Sequence, residues 1–388
     1  EFKYSDSQIL FQKTMDLVDN LCNKNSISNQ MIKEHKNNIL NKNVKLGNKL
    51  VGHNQPPFII AEGGLNHNGS VQLAKKLIDE AKKANCDAIK FQTFTANQRV
   101  SKEVKSVKYS EEADGLQENI FEMFQRLSIN KKQHKEIFSY AKKRKIEIFS
   151  TPFDEQSVDL LEELKVKFYK VASVDLVNLP LIKKIGNTGK PLIMSTGMSN
   201  LGNVQDAIDA FKSTGNKNLI LLHCLSSYPA NEKEMNLNAI KTLKNNFEIP
   251  VGLSDHFPGI EVSLMALGLG ANIIERHFTI NKNFEGPDHI LSSEPHEIKK
   301  LTDIAKNTIS ILGNGQKVIQ PSEYTVINSQ RKSIYASKNI KIGEKLTKKN
   351  TTIKGPAGGI LPKYYDIVLE RHARSEIHKD FPIGWENI

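Results

Sequence analysis

Two lysines and two histidines, Lys90, Lys170, His256 and His277, stand in or just after short apolar runs. Such runs read as strands, and an ammonium group at a buried strand end is costly unless something anionic meets it. His256 and His277 close consecutive runs. Neighbouring strands lie about 4.8 Å apart, so the two imidazoles can converge on one ion. Two ligands with the rest of the shell open suit a catalytic divalent metal rather than a closed structural zinc site. Lys90 and Lys170 offer two ammonium groups to a single polyanion, and Ser150, Thr151, Ser173 and Ser195 add hydroxyl donors, outlining a site for a phosphate plus a carboxylate. Plainer readings stand beside these. Each histidine could cap a strand, each lysine could pair with Glu62 or Asp175, and Ser195, Thr196 and Ser199 suit ordinary helix caps. A metal beside a doubly anionic pocket is the narrower pattern, and it points to an enol phosphate attacking a carbonyl that the metal polarises.

The elements that must position these groups are eight apolar runs: 58–61, 88–91, 146–149, 168–172, 192–194, 219–222, 251–253 and 273–274. They are continuously apolar with charge at their ends, as strands buried on both faces should be. Helical patterns separate most of them, at 71–83, 118–143, 156–164, 204–211, 237–245, 259–269 and 297–311, the first after Ser70 as N-cap. The fold class is therefore α/β, a TIM (β/α)8 barrel over 43–312 with its site at one rim. Val44 to Val51 reads as a hairpin around Gly47-Asn48, able to plug the barrel's bottom. The long gap between the second and third strands calls for a lid or added helix around 106–128. Residues 1–42 form a polar extension with one amphipathic pattern around Ile9, Leu10, Leu17, Val18 and Leu21. Gly313, Gly315 and Pro321 mark a linker over 313–330. Short strand-like segments at 333–336, 351–353 and 382–388 then make a second, β-rich domain over 331–388.

Composition narrows the partners. The chain of 388 residues carries a net charge of +11, yet only seven of its 54 basic residues are Arg and the lysines are scattered among Asn and Glu. That argues against a nucleic-acid surface and for small anionic substrates. Three cysteines, Cys22, Cys86 and Cys224, make no disulfide framework, and no apolar stretch suits a bilayer or a signal peptide. A cytoplasmic protein without membrane partners is expected.

The motifs FIIAEGGLNHNG (58–69), IKFQTF (89–94), FSTPFD (149–154), YKVAS (169–173), PLIMSTGM (191–198), LLHC (221–224), SSYP (226–229), GLSDH (252–256), IIERHFT (273–279) and GPDH (286–289) stand in order along the chain. With them it resembles the sialic acid synthase family, phosphoenolpyruvate-condensing enzymes that make nonulosonic acids. SIYASKNIKIGEKLT (333–347) resembles that family's antifreeze-like (SAF) C-terminal domain. The resemblance implies that His256 and His277 hold manganese, with magnesium or cobalt as alternatives. It implies phosphoenolpyruvate on Lys90, Thr151, Lys170, Ser173, Ser195 and Ser254, and an open-chain N-acylated hexosamine on Gln92, Tyr228 and Asp288. Glu62 would orient the sugar hydroxyls and manage the proton of the reacting groups, in a domain-swapped homodimer whose tail covers the partner's site. Gly355 stands where the family's N-acetylneuraminate synthases place an arginine, and Ser226 where they place Asn. The expected activity is N-acetylneuraminate synthesis from N-acetylmannosamine, with N,N'-diacetyllegionaminate synthesis from a diacetamido-hexose as the alternative. A metal-dependent sugar-phosphate aldolase or isomerase, which would release no phosphate, and a non-catalytic carbohydrate-binding protein rank below both.

Overall fold

The computed structural model describes residues 13, 39–103 and 119–388. The lid expected around 106–128 and the amphipathic pattern near the N-terminus lie largely outside them. By its internal contacts the chain divides into two compact units between Leu312 and Gly313.

In the first unit, β1 (Asn43–Leu46) and β2 (Lys49–Gly52) form an antiparallel hairpin. Eight parallel strands follow: β3 (Phe58–Gly64), β4 (Ala88–Thr93), β5 (Glu147–Pro152), β6 (Tyr169–Val171), β7 (Leu192–Ser195), β8 (Leu219–Cys224), β9 (Val251–Asp255) and β10 (Ile273–His277). Their ladder runs β5-β4-β3-β10-β9-β8-β7-β6. Phe149 of β5 meets Phe168, just before β6, at 4.4 Å between ring centroids, where the two end strands come together. All eight expected strands are present, and the barrel is a TIM-like one.

Side chains alternate across the strands and divide the apolar residues into two cores. Ile59, Ala61, Ile89, Ile148, Val171, Met194, Leu221, Leu253 and Ile274 face outward into the layer shared with the helices. Ile60, Ala88, Phe149, Phe168, Ile193, Leu222 and Ile273 point inward and close the barrel with Val44, Leu46 and Val51 of the hairpin. The hairpin thus seals the lower end, and two residues further along each strand the interior turns polar.

The outer helices are α1 (Val71–Lys83), α2 (Ala96–Arg99), α3 (Ile120–Leu127), α4 (Lys131–Arg144), α5 (Glu155–Glu163), α6 (Leu179–Gly186), α7 (Leu201–Lys212), α8 (Ala239–Phe247), α9 (Glu261–Gly268) and α10 (Pro295–Leu312). The short α2 was not foreseen, and longer helices depart from the sequence expectation at two further places. The single helix read over 118–143 is broken, because Asn130 accepts from Gln133 N at 3.0 Å while the Gln133 side chain accepts from Asn130 N at 2.8 Å. That reciprocal cap starts a new helix where the hydrophobic pattern runs on. α6 was not foreseen; its Pro180 reads as a breaker but sits in the first turn, where a missing N–H costs nothing. Among the described residues no helix is long and apolar enough to cross a membrane.

The second unit pairs β11 (Ser333–Ala336) antiparallel with β12 (Thr351–Lys354) around a small core of Ile334, Ile340, Leu346, Ile360, Val368, Ile377, Ile383 and Ile388. It also carries α11 (Tyr324–Gln330) and α12 (Tyr365–Leu369). The stretch read as linker therefore includes a helix. The closing segment read as a strand makes only a bridge from Pro382 to Tyr335 and ends in a 3-10 turn.

Candidate active site

Above the apolar interior layer, the next inward position of each strand carries a functional group: Glu62, Lys90, Thr151, Lys170, Ser195, Cys224, Ser254 and Glu275. They floor a cavity of about 300 Å³ at the C-terminal ends of the strands. The other expected site residues, Gln92, Ser173, Tyr228, His256, His277 and Asp288, line the same cavity.

The floor is a buried four-charge cluster. Lys90 Nζ lies 3.2 Å from Glu62 Oε2 and 3.3 Å from Glu275 Oε2, and donates to Thr151 Oγ1 at 3.2 Å. Lys170 Nζ donates to Ser195 Oγ at 2.6 Å and lies 3.5 Å from Glu275 Oε1, which also accepts from Ser254 Oγ at 3.1 Å. Burial opposes all of these charges. On Glu275 it is outweighed by Lys170 and Lys90, which bring the carboxyl down to about 2. On Lys90 the carboxylates of Glu275 and Glu62 also win, raising its pKa. On Lys170 burial prevails over Glu275, with Lys90 adding repulsion, and the pKa falls. The lysines thus do pair with carboxylates, as the plainer reading held, but through Glu62 and Glu275 rather than Asp175.

A hydroxyl cradle adjoins the lysines. Ser173 Oγ accepts from Gly197 N at 3.0 Å, and a Cβ on Gly197 would meet Ser226 Oγ at 2.3 Å and Ser173 Oγ at 2.8 Å. Glycine at 197 keeps this space open. A similar gap adjoins the groups expected on the sugar side: a Cβ on Gly64 would meet Glu62 Oε1 at 3.0 Å, Gln92 Nε2 at 3.3 Å and Asp288 Oδ2 at 3.4 Å.

His256 and His277 face each other with ring centroids 5.2 Å apart, and Tyr228 stacks on His256 at 4.3 Å. His256 Nδ1 bonds to Leu225 O at 2.9 Å, which as donor leaves Nε2 with a free lone pair. His277 Nδ1 makes no hydrogen bond, although Asp288 Oδ2 lies 3.4 Å away. Among the described residues no group of three His, Cys, Asp or Glu could hold an ion. Two imidazoles with an open remainder fit a divalent ion that shares its shell with substrate. Burial disfavours a charged His256 and the Cys224 sulfur favours it, with the balance above the ordinary value.

Three polar residues near the strand ends face elsewhere, among them Ser150, which was expected as a hydroxyl donor. Ser150 donates to Phe91 O at 2.9 Å and is not a donor to the cavity. His223 bonds to Met235 O at 2.7 Å. Asp255 pairs with buried Arg276 and caps Phe257 N at 2.9 Å. Each is one residue from an inward position, so the pleat turns it outward. Two cavity residues went unassigned. Glu275 precedes His277 by two on one strand, and that spacing alone places both on the inner face. Arg99, which donates to Gln92 Oε1 at 2.8 Å, follows its strand at no periodic position and leaves no sequence signal. In the second unit Lys354 pairs with Asp380.

An acid–base and cation-lined pocket at this rim defines a barrel enzyme. The chain belongs to the NeuB family, whose model matches residues 77–317, and the SAF domain model matches 331–388. It is a nonulosonic acid synthase. It is 44% identical to the N,N'-diacetyllegionaminic acid synthase of Campylobacter jejuni over 325 residues, 83% of this chain and 97% of the relative. The synthase of the same name from Legionella pneumophila is 38% identical over 88% of this chain and 97% of the relative. The crystal structure of the N-acetylneuraminic acid synthetase of Leptospira borgpetersenii in complex with citrate superposes with a TM-score of 0.67 at 37% identity, covering 74% of this chain and 96% of that one.

Proposed function

We propose that the chain condenses phosphoenolpyruvate with a 2,4-diacetamido-hexose and water, giving the nine-carbon N,N'-diacetyllegionaminate and phosphate. The observation that carries the reaction is the meeting of Lys90 and Lys170 on Glu275 beside two open imidazoles. N-acetylmannosamine, the acceptor expected first from sequence, takes second place. The relatives named for the diacetylated product reach 44% and 38% identity, and Gly355 and Ser226 depart from the N-acetylneuraminate pattern.

Lys90 and Lys170 would release part of their hold on Glu275 to take the phosphate and carboxylate of phosphoenolpyruvate, with Thr151, Ser173, Ser195 and Ser254 donating to the remaining oxygens. This leaves C3 of the enol free to attack the aldehyde carbon of the open-chain sugar. Water then adds at C2, and phosphate leaves with cleavage of its C–O bond. Glu62 Oε1 is steadied by Gln92 Nε2 at 3.2 Å, while Oε2 faces Lys90 Nζ at 3.2 Å. Once Lys90 turns to the substrate, Oε2 is the atom that would hold and return the proton of the reacting hydroxyl. Gln92, Tyr228 and Asp288 would orient the sugar, and the Met123, Phe124 and Phe153 wall would exclude water. His256 and His277 would hold a divalent ion, manganese first, whose chemistry is Lewis-acid polarisation of the acceptor's carbonyl oxygen. The family resemblance further supports a homodimer whose tail covers the partner's cavity.

The test is phosphate release from phosphoenolpyruvate with manganese and either the diacetamido-hexose, N-acetylmannosamine or no sugar, with the keto acid identified by mass. Fastest release with the diacetamido sugar is expected. Faster release with N-acetylmannosamine would reverse the acceptor choice, and release with neither would overturn the condensation.

A further inference from the structure

Arg99 is held in an unusual place. Its guanidinium carbon lies 4.5 Å from the ring centre of Phe94, 3.9 Å from Phe124 and 3.7 Å from Phe153. The three rings belong to a small apolar cluster with Leu65, Met123 and Leu127, between α2, α3 and the rim. Cation–π contact with three faces fixes a planar fork that lysine could not replace. Among the described residues Arg99 makes no ion pair; its one hydrogen bond goes to Gln92 Oε1 at 2.8 Å, and its side chain lines the cavity.

We propose that Arg99 is a specificity-determining residue that reads a second acylamido group on the acceptor sugar, at the end remote from the reacting carbonyl. The inference deepens the condensation reading and rests on it for the identity of the ligand as a sugar. Position comes from the hydrogen-bond chain. Gln92 Nε2 donates to Glu62 Oε1 at 3.2 Å, and Arg99 donates to the other end of the same amide. Glu62 belongs to the reacting end, so Arg99 is one residue further out along whatever lies in the cavity. Chemistry comes from the surroundings. Phe124 and Phe153 lie against the guanidinium and Ile120 and Met123 line the same cavity, an apolar lining suited to a methyl group, while the fork's remaining N–H groups suit a carbonyl oxygen. An acylamido group presents both. A phosphate ester would instead place two negative charges against aromatic faces, near the carboxylates of Asp288, Asp175 and Glu62, whose fields already reach Arg99.

The experiment uses the full chain as wild type, R99M and R99K. Titration calorimetry without phosphoenolpyruvate measures binding of the 2,4-diacetamido-hexose, N-acetylmannosamine and a 6-phosphorylated N-acetylhexosamine, and steady-state kinetics gives KM for each sugar and for phosphoenolpyruvate. R99M should weaken the diacetamido sugar by about ten- to a hundredfold, the range of one charge-assisted hydrogen bond, while N-acetylmannosamine and phosphoenolpyruvate change by less than about threefold. R99K, which keeps the charge and the cluster's volume, should fall between. Equal weakening of all three sugars, the largest effect on the phosphorylated one, or no wild-type binding of either unphosphorylated sugar would overturn the proposal. If wild type releases phosphate but R99M keeps its sugar preference, this proposal falls and the condensation stands. If R99M selectively loses the diacetamido sugar while wild type releases no phosphate, the condensation falls and the role of Arg99 stands.

Discussion

Replacing Glu275 with glutamine removes one negative charge from between two buried ammonium groups while leaving the shape of the side chain nearly unchanged. Glu275 lies 3.3 Å from Lys90 Nζ and 3.5 Å from Lys170 Nζ, and it is 4% exposed. At an effective dielectric constant of about 20, each contact is a gross attraction of roughly 5 kcal/mol, much of it offset by the cost of taking the charges out of water. Deleting one member of such a cluster leaves the others uncompensated, and about 3–5 kcal/mol of stability should be lost. For a unit of this size that is a fall of roughly 6–10 °C in the melting temperature of the barrel. S254A, which removes one hydroxyl from the same carboxylate, should cost only about 1 kcal/mol. A second signature separates a binding role from a purely structural one. In E275Q the ammonium groups no longer have Glu275 to leave, so phosphoenolpyruvate should raise the melting temperature of the variant more than that of wild type. Differential scanning calorimetry with and without the ligand reads both effects. A variant melting within a degree of wild type, or an equal ligand shift in both proteins, would refute the reasoning.

K170A should raise KM for phosphoenolpyruvate by one to two orders of magnitude, roughly the worth of one charged contact, and that for the sugar far less; an equal rise in both in steady-state assays would argue against the assignment. H256A should lose manganese binding in calorimetry and turnover with it, whereas unchanged activity after chelation of wild type would remove the metal from the scheme. G197A would drive a methyl group onto the hydroxyls of Ser173 and Ser226, so its KM for phosphoenolpyruvate should climb while its melting temperature holds; an unaltered KM would show that this cradle does not touch the substrate. A chain ending at Leu312 should keep a folded barrel by circular dichroism yet lose activity, and full activity would exclude the tail from the site.

Much of this protein is set by local periodicity. The strands at 58–64 and 273–277 are legible because β-branched and aromatic residues cluster there, and the polar residue two places after an inward apolar one, as in Ile60 and Glu62 or Phe149 and Thr151, has to face the barrel axis. The order of the rim residues was legible for the same reason. Ser150, expected as a hydroxyl donor, is turned out of the cavity by the pleat, which the alternation of the strand already implies. Other features depend on closure. Which carboxylate Lys90 and Lys170 share is decided by the stagger between strands β4, β6 and β10, far apart in the chain, and only the closed barrel brings Glu275 between them. Arg99 reaches the cavity because α2 and α3 fold a Phe cage over the rim from outside the strand repeat. A pattern of period two carries no information about such meetings, since they are fixed by packing between segments that the chain itself holds apart.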